Sequence, residues 1–258
     1  MTEFVCRPAA PADRAALKAL WTASFGDSEE DVDLFLTRMR GRAVPFAVER
    51  EGEILSALWA LECAFAGEKA AYFYAVSTRA DARHKGLATA LMRYALGELE
   101  RRGVTKCWLY PANAALHTLY RPLGFAPCAP ARRLILPAAG QAPLTPLSAP
   151  QAADRRAACL HGKNAVDWDA AALAFAAESA DGAWYDVGDG IALLCPRGKT
   201  LAVPEWLAPD PRRAAAFAAA FGCERVEVAF PFWIGVGEPL PPPLARGMAP
   251  DYAGLTMA

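Results

Sequence analysis

A chain of 258 residues with 54% apolar and 21% charged side chains has ample core for one large domain or two small ones. Its net charge of −1 excludes the broad basic excess of a nucleic-acid binder, and its apolar runs break off well short of a membrane span. Seven dispersed cysteines and three distant histidines offer neither a C-x-x-C pair nor metal-ligand spacing, and the N-terminus MTEFVCRPAA has no signal-peptide pattern. The expectation is a metal-free cytoplasmic protein with free thiols. Charge is unevenly divided: residues 1–150 carry a net +3 and residues 151–258 a net −4.

In chain order, Glu3 to Arg7 reads as a first strand ending at Pro8. Pro11 and Asp13 open a helix whose Leu17, Leu20, Trp21 and Ser24 share a face, and Gly26 stops it. Asp27 or Ser28 caps a second helix with acidic residues in its first turn and a core stripe of Val32, Phe35, Leu36 and Met39. Phe46–Val48 and Ile54–Cys63 are strands joined at Glu51-Gly52-Glu53. Tyr72 to Val76 is an apolar strand followed by a polar turn. Gly86 then opens a helix in which Leu87, Leu91, Ala95 and Leu99 recur every fourth residue. Gly103 ends that helix and Thr105–Tyr110 returns as a strand. Asn113 caps a short helix that Pro122 and Gly124 halt, leaving Tyr120 near its end, and Phe125–Leu136 supplies a last strand. The order β, α, α, β, β, β, α, β, α, β predicts a mixed α/β sheet domain over residues 1–136.

Residues 137–150, rich in proline and alanine, read as an interdomain linker to a second α/β lobe over 151–258. The pattern there predicts helices near 151–160 and 166–177, a hairpin about Gly188-Asp189-Gly190, a strand over 200–207, a helix over 211–221 and a strand over 223–230. The last three repeat the strand, loop, helix, strand order of Tyr72–Pro111, but Asp210-Pro211-Arg212-Arg213 stands where the first half has its glycine loop.

The glycine loop carries the chemistry. First-turn amides of a helix lack internal partners and bear the positive end of the macrodipole, so together they hold an anion. Gly86 and the small Ala88 let a phosphate approach those amides, and Arg83, His84 and Lys85 add charge. The plain alternative is a basic turn capping a core helix. Arg83-His84-Lys85-Gly86-Leu87-Ala88 resembles the R/Q-x-x-G-x-G/A loop of the GNAT N-acetyltransferases, and Asn113–Phe125, NAALHTLYRPLGF, resembles that family's N-x-x-[A/L]…[F/Y]-Y-x-x-x-G-F signature. Leu119 and Pro122 depart from the signature, which usually has an aromatic before the tyrosine and one further helical turn. The chain is similar to the two-lobed bacterial type, with a GNAT acyl-CoA N-acyltransferase fold followed by a smaller, degenerate GNAT-like lobe.

The resemblance implies acetyl-CoA as co-substrate, with its pyrophosphate on Arg83, His84, Lys85, Gly86, Leu87 and Ala88. Its pantetheine arm would lie along the backbone of Ala75, Val76 and Ser77, with the Val76 amide facing the oxyanion and Asn113 near the cofactor. It implies Tyr120 as the general acid that protonates the leaving thiolate. A base is needed for an alkyl ammonium, whose deprotonation at pH 7 costs roughly 4.6 kcal/mol, but an α-amine near pKa ~7.8 costs only about 1. Glu62, the one charge in its apolar run, is the first choice for that base, or else an outward-facing strand residue; Glu205 has the same ambiguity in the second lobe. By analogy with two-lobed relatives, the carboxylate of Ala258 is a further choice.

The expected activity is acetyl transfer to a primary amine of a small molecule or peptide, with no nucleic-acid or membrane partner and the oligomeric state open. The alternative is a non-catalytic acyl-CoA-binding or scaffold protein on the same fold. The lack of G-x-G-x-x-G after the first strand speaks against a dinucleotide oxidoreductase.

Overall fold

The computed structural model describes residues 4–255; Glu3 and Ala258 lie outside them. After β1 (Val5–Pro8), α1 (Arg14–Phe25) buries Leu17, Leu20 and Trp21 and stops at Gly26, whose φ of 79° suits only glycine without strain. The Ser28 hydroxyl accepts from the Asp31 amide at 3.1 Å and starts α2 (Glu29–Arg38), with three acids in its first turn. β2 (Ala43–Arg50) and β3 (Glu53–Phe65) form a hairpin whose two turn residues, Glu51 and Gly52, are both left-handed. β4 (Glu68–Thr78) leads to α3 (Leu87–Arg101), which buries the expected stripe of Leu87, Leu91, Ala95 and Leu99 together with Met92 and Leu96. β5 (Lys106–Leu109), the one-turn α4 (His117–Tyr120) and β6 (Ala126–Pro127) follow.

β7 (Arg132–Pro137), β8 (Thr145–Leu147), α5 (Ala149–Cys159), the two-residue β9 (Val166–Asp167) and α6 (Ala170–Ser179) come next. β10 (Ala183–Asp186), β11 (Ile191–Arg197), β12 (Thr200–Leu207), α7 (Ala214–Ala220) and β13 (Arg225–Phe230) complete a second α/β set. β14 (Glu238–Pro239) and β15 (Leu244–Arg246) end the order.

The chain divides into two compact units. One takes the chain through Pro127 together with Leu244–Met248; the other takes Cys128–Pro243 and the segment from Ala249 onward. The first sheet runs β1-β2-β3-β4-β5-β15-β6 and the second β8-β10-β11-β12-β13-β7-β14. In each, the fourth and fifth strands are parallel and every other neighbour is antiparallel. The second unit therefore repeats the topology of the first, as the order of its elements predicts. Its core gathers Ala192, Leu194, Leu201, Val203, Trp206 and Val228 of the sheet against Ala214, Phe217 and Ala218 of α7.

Three boundaries differ from those read in sequence. The strand expected over Phe125–Leu136 is two strands: β6 stays in the first sheet, and β7 pairs with β13 and β14 in the second. The stretch 137–150 is not a free linker. It contains β8, which pairs with β10, and Ser148, which caps α5 with Gln151 in a capping box. Pro150 sits in the first turn of α5, where its missing N–H costs nothing. The helix expected over 166–177 begins at Ala170, because the Asp169 carboxylate caps the Ala172 amide at 3.0 Å.

The sixth place in each sheet is filled by a strand distant in sequence, β15 in the first and β7 in the second. β15 pairs with β5 through Leu244↔Leu109 and with β6 through Leu244↔Pro127, so Leu244 is 1% exposed in the middle of a sheet. Truncating it by Leu244→Ala is expected to cost about 2–5 kcal/mol, measurable as a lowered denaturation midpoint; an unchanged midpoint would mean that β15 is dispensable.

Candidate active site

β4 and β5 run side by side only through Ala70↔Lys106, Ala71↔Cys107 and Tyr72↔Trp108. On its other edge, β4 slips register against β3 between Ala57↔Ser77 and Trp59↔Tyr74, so that two residues, Ala75 and Val76, oppose Leu58 alone. This is a bulge, and Ala75 takes the left-handed conformation at φ 49°. A bulge leaves its extra residue out of the ladder and re-aims the strand. A non-glycine residue in that conformation costs of order 1–3 kcal/mol and persists where the surroundings impose it, which marks functional positions.

Ser77 is buried beside the bulge. The buried Ser56 hydroxyl donates to the Ser77 carbonyl at 2.6 Å and lies 2.9 Å from the Thr78 hydroxyl. The Ser77 carbonyl is thus engaged by its own sheet, while Ala75 and Val76 remain half-buried. Sequence reading passed over Ser56, an unremarked serine within an apolar run.

The turn after β4 holds Ala80–Ala82 in a short 3-10 segment, then Arg83, His84 and Lys85, all exposed. The Arg83 Nε donates to the Thr78 carbonyl at 3.1 Å, and the Lys85 Nζ donates to the Asp81 carbonyl at 2.8 Å. His84 and Gly86 are both left-handed, at φ 60° and 77°. Such alternation turns successive amides into one concavity that suits an anion. Gly86 is the N-cap of the 15-residue α3, and a Cβ built on it meets no protein atom within 4 Å. Leu87 anchors the helix in the core, and Ala88 is half-buried. A groove of about 530 Å³, lined in part by Leu20, Ala23, Glu53, Arg79 and Arg83, opens beside this turn.

After β5, Asn113 is extended and exposed and precedes a 3-10 turn over Ala114–Leu116. α4 ends at Tyr120, and a further 3-10 turn, Arg121–Leu123, carries the chain to left-handed Gly124. Arg121 is helical (φ −55°, ψ −46°) in spite of the proline that follows it. Tyr120 is 4% exposed, packs edge-on against Phe125 at 6.1 Å, and is pushed up to about 12 by burial. Its phenol is therefore neutral across the physiological range.

The bulge lies just past the last parallel pair of β4 with β5, and the glycine turn and Tyr120 follow the C-terminal ends of those two strands, the end at which open α/β sheets place their ligands. Glu62 does not join them. It is exposed, opposes Ala71, and stands four residues along β3 from Leu58, roughly 13 Å at strand spacing. Glu205 is fully buried and bound bidentately by the buried Arg156 at 2.9 and 3.1 Å, an ion pair and not a free base.

The second unit has the same bulge without its donors. β11 and β12 slip between Leu193↔Glu205 and Cys195↔Ala202, which places Pro204, a residue with no N–H, in the bulge. The turn after β12 has no glycine, and the Asp210 carboxylate accepts from the Arg212 amide at 3.0 Å, placing a negative charge at the start of the helical segment.

Among the described residues, no group of three or more His, Cys, Asp or Glu is placed to hold a metal ion, and no helix is long and apolar enough to cross a membrane. No curated protein matches the chain in sequence. Among solved structures, it is similar in fold to a GCN5-related N-acetyltransferase of Anabaena variabilis (TM-score 0.70, 17% identity, 95% of this chain and 72% of the other). It is similar in fold also to one from Kribbella flavida (0.68, 17%, 95% and 71%) and to Eis1 of Mycobacterium abscessus (0.62, 14%, 95% and 73%). The model of the acetyltransferase (GNAT) domain matches residues 5–128, the span that holds the bulge, the glycine turn and Tyr120. The match to the GNAT acetyltransferase domain thus covers the first unit of the chain, just under half of its length.

Proposed function

We propose that the chain transfers an acetyl group from acetyl-CoA to a primary amine of a small molecule or peptide by direct attack, at one site per chain. The observation that carries this reading is that two adjacent parallel strands carry a bulge in β4, a left-handed glycine cap after β4 and a buried tyrosine after β5. In this reading the amides from Gly86 to Ala88 hold the pyrophosphate, Arg83, His84 and Lys85 supply charge, and Asn113 lines the cofactor's path. The backbone of Ala75 and Val76 receives the pantetheine arm, with the Val76 amide facing the thioester oxygen as negative charge develops there. Tyr120 donates to the departing thiolate.

The second unit has no part in holding the donor, since Pro204 and Asp210 stand where an amide and an anion are needed. Glu62 lies too far along β3 to take the proton. An acceptor reacting as its free amine leaves that proton to water.

The test is acetyl-CoA-dependent thiol release by the full-length protein across a panel of aliphatic amines, aminoglycosides and peptides with free N-termini. Release that depends on an acceptor and gives the N-acetylated product is expected. Tight acetyl-CoA binding with no turnover on any acceptor would replace the transferase with a non-catalytic acyl-CoA-binding protein.

A further inference from the structure

Ser56 and Ser77, both buried, sit on paired strands where β4 leaves its bulge. A serine hydroxyl has one proton, and that of Ser56 goes to the Ser77 carbonyl at 2.6 Å. The Thr78 hydroxyl, 2.9 Å away, is therefore the donor in its bond to Ser56. The Thr78 carbonyl in turn accepts from the Arg83 Nε at 3.1 Å. A chain of hydrogen bonds thus runs from the bulge to the glycine turn, and Ser56, 0% exposed, is its most deeply buried member.

The second unit shows that the register slip itself needs no such bond. Pair for pair, Ala57↔Ser77 and Trp59↔Tyr74 correspond to Leu193↔Glu205 and Cys195↔Ala202, and Ser56↔Thr78 corresponds to Ala192↔Trp206. The second sheet slips with a methyl group where Ser56 has its hydroxyl. Two features belong to the first bulge alone. Ala75 is left-handed, whereas neither Val203 nor Pro204 is, and Val76 carries an N–H where the second unit has Pro204. A strained residue relaxes unless its surroundings hold it. The Ser56 hydroxyl grips the strand two residues past the strain and one past the amide.

Resting on the acetyl-transfer reading, we propose that Ser56 is a positioning residue for that reaction. By fixing the Ser77 carbonyl it holds the left-handed bulge open and keeps the Val76 N–H turned toward the thioester oxygen, in place before charge develops there. Its hydroxyl is buried and fully engaged, so it acts through the backbone of β4 and not on the substrate.

The experiment follows the full-length protein and its Ser56→Ala and Ser56→Thr variants by acetyl-transfer kinetics, calorimetric acetyl-CoA binding and the infrared stretch of an isotope-labelled thioester carbonyl in bound acetyl-CoA. In the wild type the stretch is expected at lower wavenumber than in free acetyl-CoA, the mark of an amide donating to the oxygen. Ser56→Ala should return it toward the free value and lower kcat at least tenfold, with acetyl-CoA affinity changed less than threefold. Ser56→Thr keeps the hydroxyl and should recover most of both. A kcat within twofold of wild type in Ser56→Ala, or a lowered denaturation midpoint with the stretch unchanged, would reduce Ser56 to a structural hydroxyl and overturn the proposal. So would a wild-type stretch equal to that of free acetyl-CoA, or a loss that Ser56→Thr does not recover. A stretch that depends on Ser56, without transfer to any amine, would overturn the transferase reading and leave the clamp. Absence of acetyl-CoA binding would overturn both.

Discussion

Tyr120→Phe is expected to lower kcat for acetyl transfer by about 10²–10³-fold, the loss typical of one hydrogen-bond donor to a developing anion, and to leave acetyl-CoA affinity unchanged. The substitution keeps the ring that packs on Phe125 and removes only the hydroxyl, so the fold is retained. Burial sets the manner in which the phenol acts. With its pKa pushed up to about 12, it is a weaker acid than a thiol near ~8.5, and complete proton transfer is uphill by roughly 4.8 kcal/mol. In the proposed mechanism the phenol would therefore act as a hydrogen-bond donor to the departing thiolate, with solvent completing the protonation.

A pH consequence follows with a definite sign. If Tyr120 is the donor to the thiolate, its neutral phenol is the active form and is lost only as pH rises through its elevated pKa, so kcat should show no falling limb up to pH 10. A limb near pH 10 that disappears in Tyr120→Phe would show an unshifted phenol. Full activity in the variant would remove Tyr120 from the mechanism.

Glu205→Gln is expected to destabilise the second unit by about 3–5 kcal/mol, because it leaves the Arg156 charge buried without its counterion. Glu205 is 0% and Arg156 1% exposed, and the guanidinium also donates to the Val166 carbonyl at 2.8 Å. The C-terminal segment passes over the pair. Gly254 is left-handed at φ 79°, and a Cβ there would stand 2.7 Å from the Arg156 Nη2 and 2.9 Å from the Glu205 Oε1. Tyr252, Ala253 and Leu255 are buried alongside. Chemical denaturation measures the loss. Replacing both partners by apolar residues of similar volume should cost much less, and a loss below 1 kcal/mol in Glu205→Gln alone would mean that water reaches the pair.

The parts of the fold legible in the sequence are those with a local cause. The four-residue recurrence from Leu87 to Leu99, the stop at Gly26, the Ser28 cap and the hairpin at Glu51-Gly52 are each written in a few adjacent residues, and each element forms where they stand. The exchange of β7 and β15 between sheets has no such cause. Leu244-Ala245-Arg246 is too short for periodicity and follows three prolines, and Arg132–Pro137 reads as equally good strand for either sheet. Its partner is decided by long-range pairing.

At the site, Gly86 was legible because a left-handed cap wants glycine. The bulge was not, since alanine fills its left-handed position and alanine gives no such signal. Asp27 reads in sequence only as one of two caps for α2. Its bond to the Trp21 indole depends on packing of α1 against β4. Glu62 was singled out as a lone charge in an apolar run, but it stands where the buried stretch of β3, Ile54 to Leu61, gives way to more exposed positions, which take charges freely.

The most direct test of a single donor site built on the β4–α3 turn is calorimetric titration of acetyl-CoA into the full-length protein and its Gly86→Val variant. A β-branched side chain at φ 77° is strained, and its bulk at the N-cap is expected to hinder an anion from reaching the first-turn amides. The account predicts one acetyl-CoA per chain for the wild type, and affinity at least 100-fold weaker in Gly86→Val with the protein still folded. Two acetyl-CoA molecules per chain, or undiminished binding in a folded Gly86→Val, would contradict it.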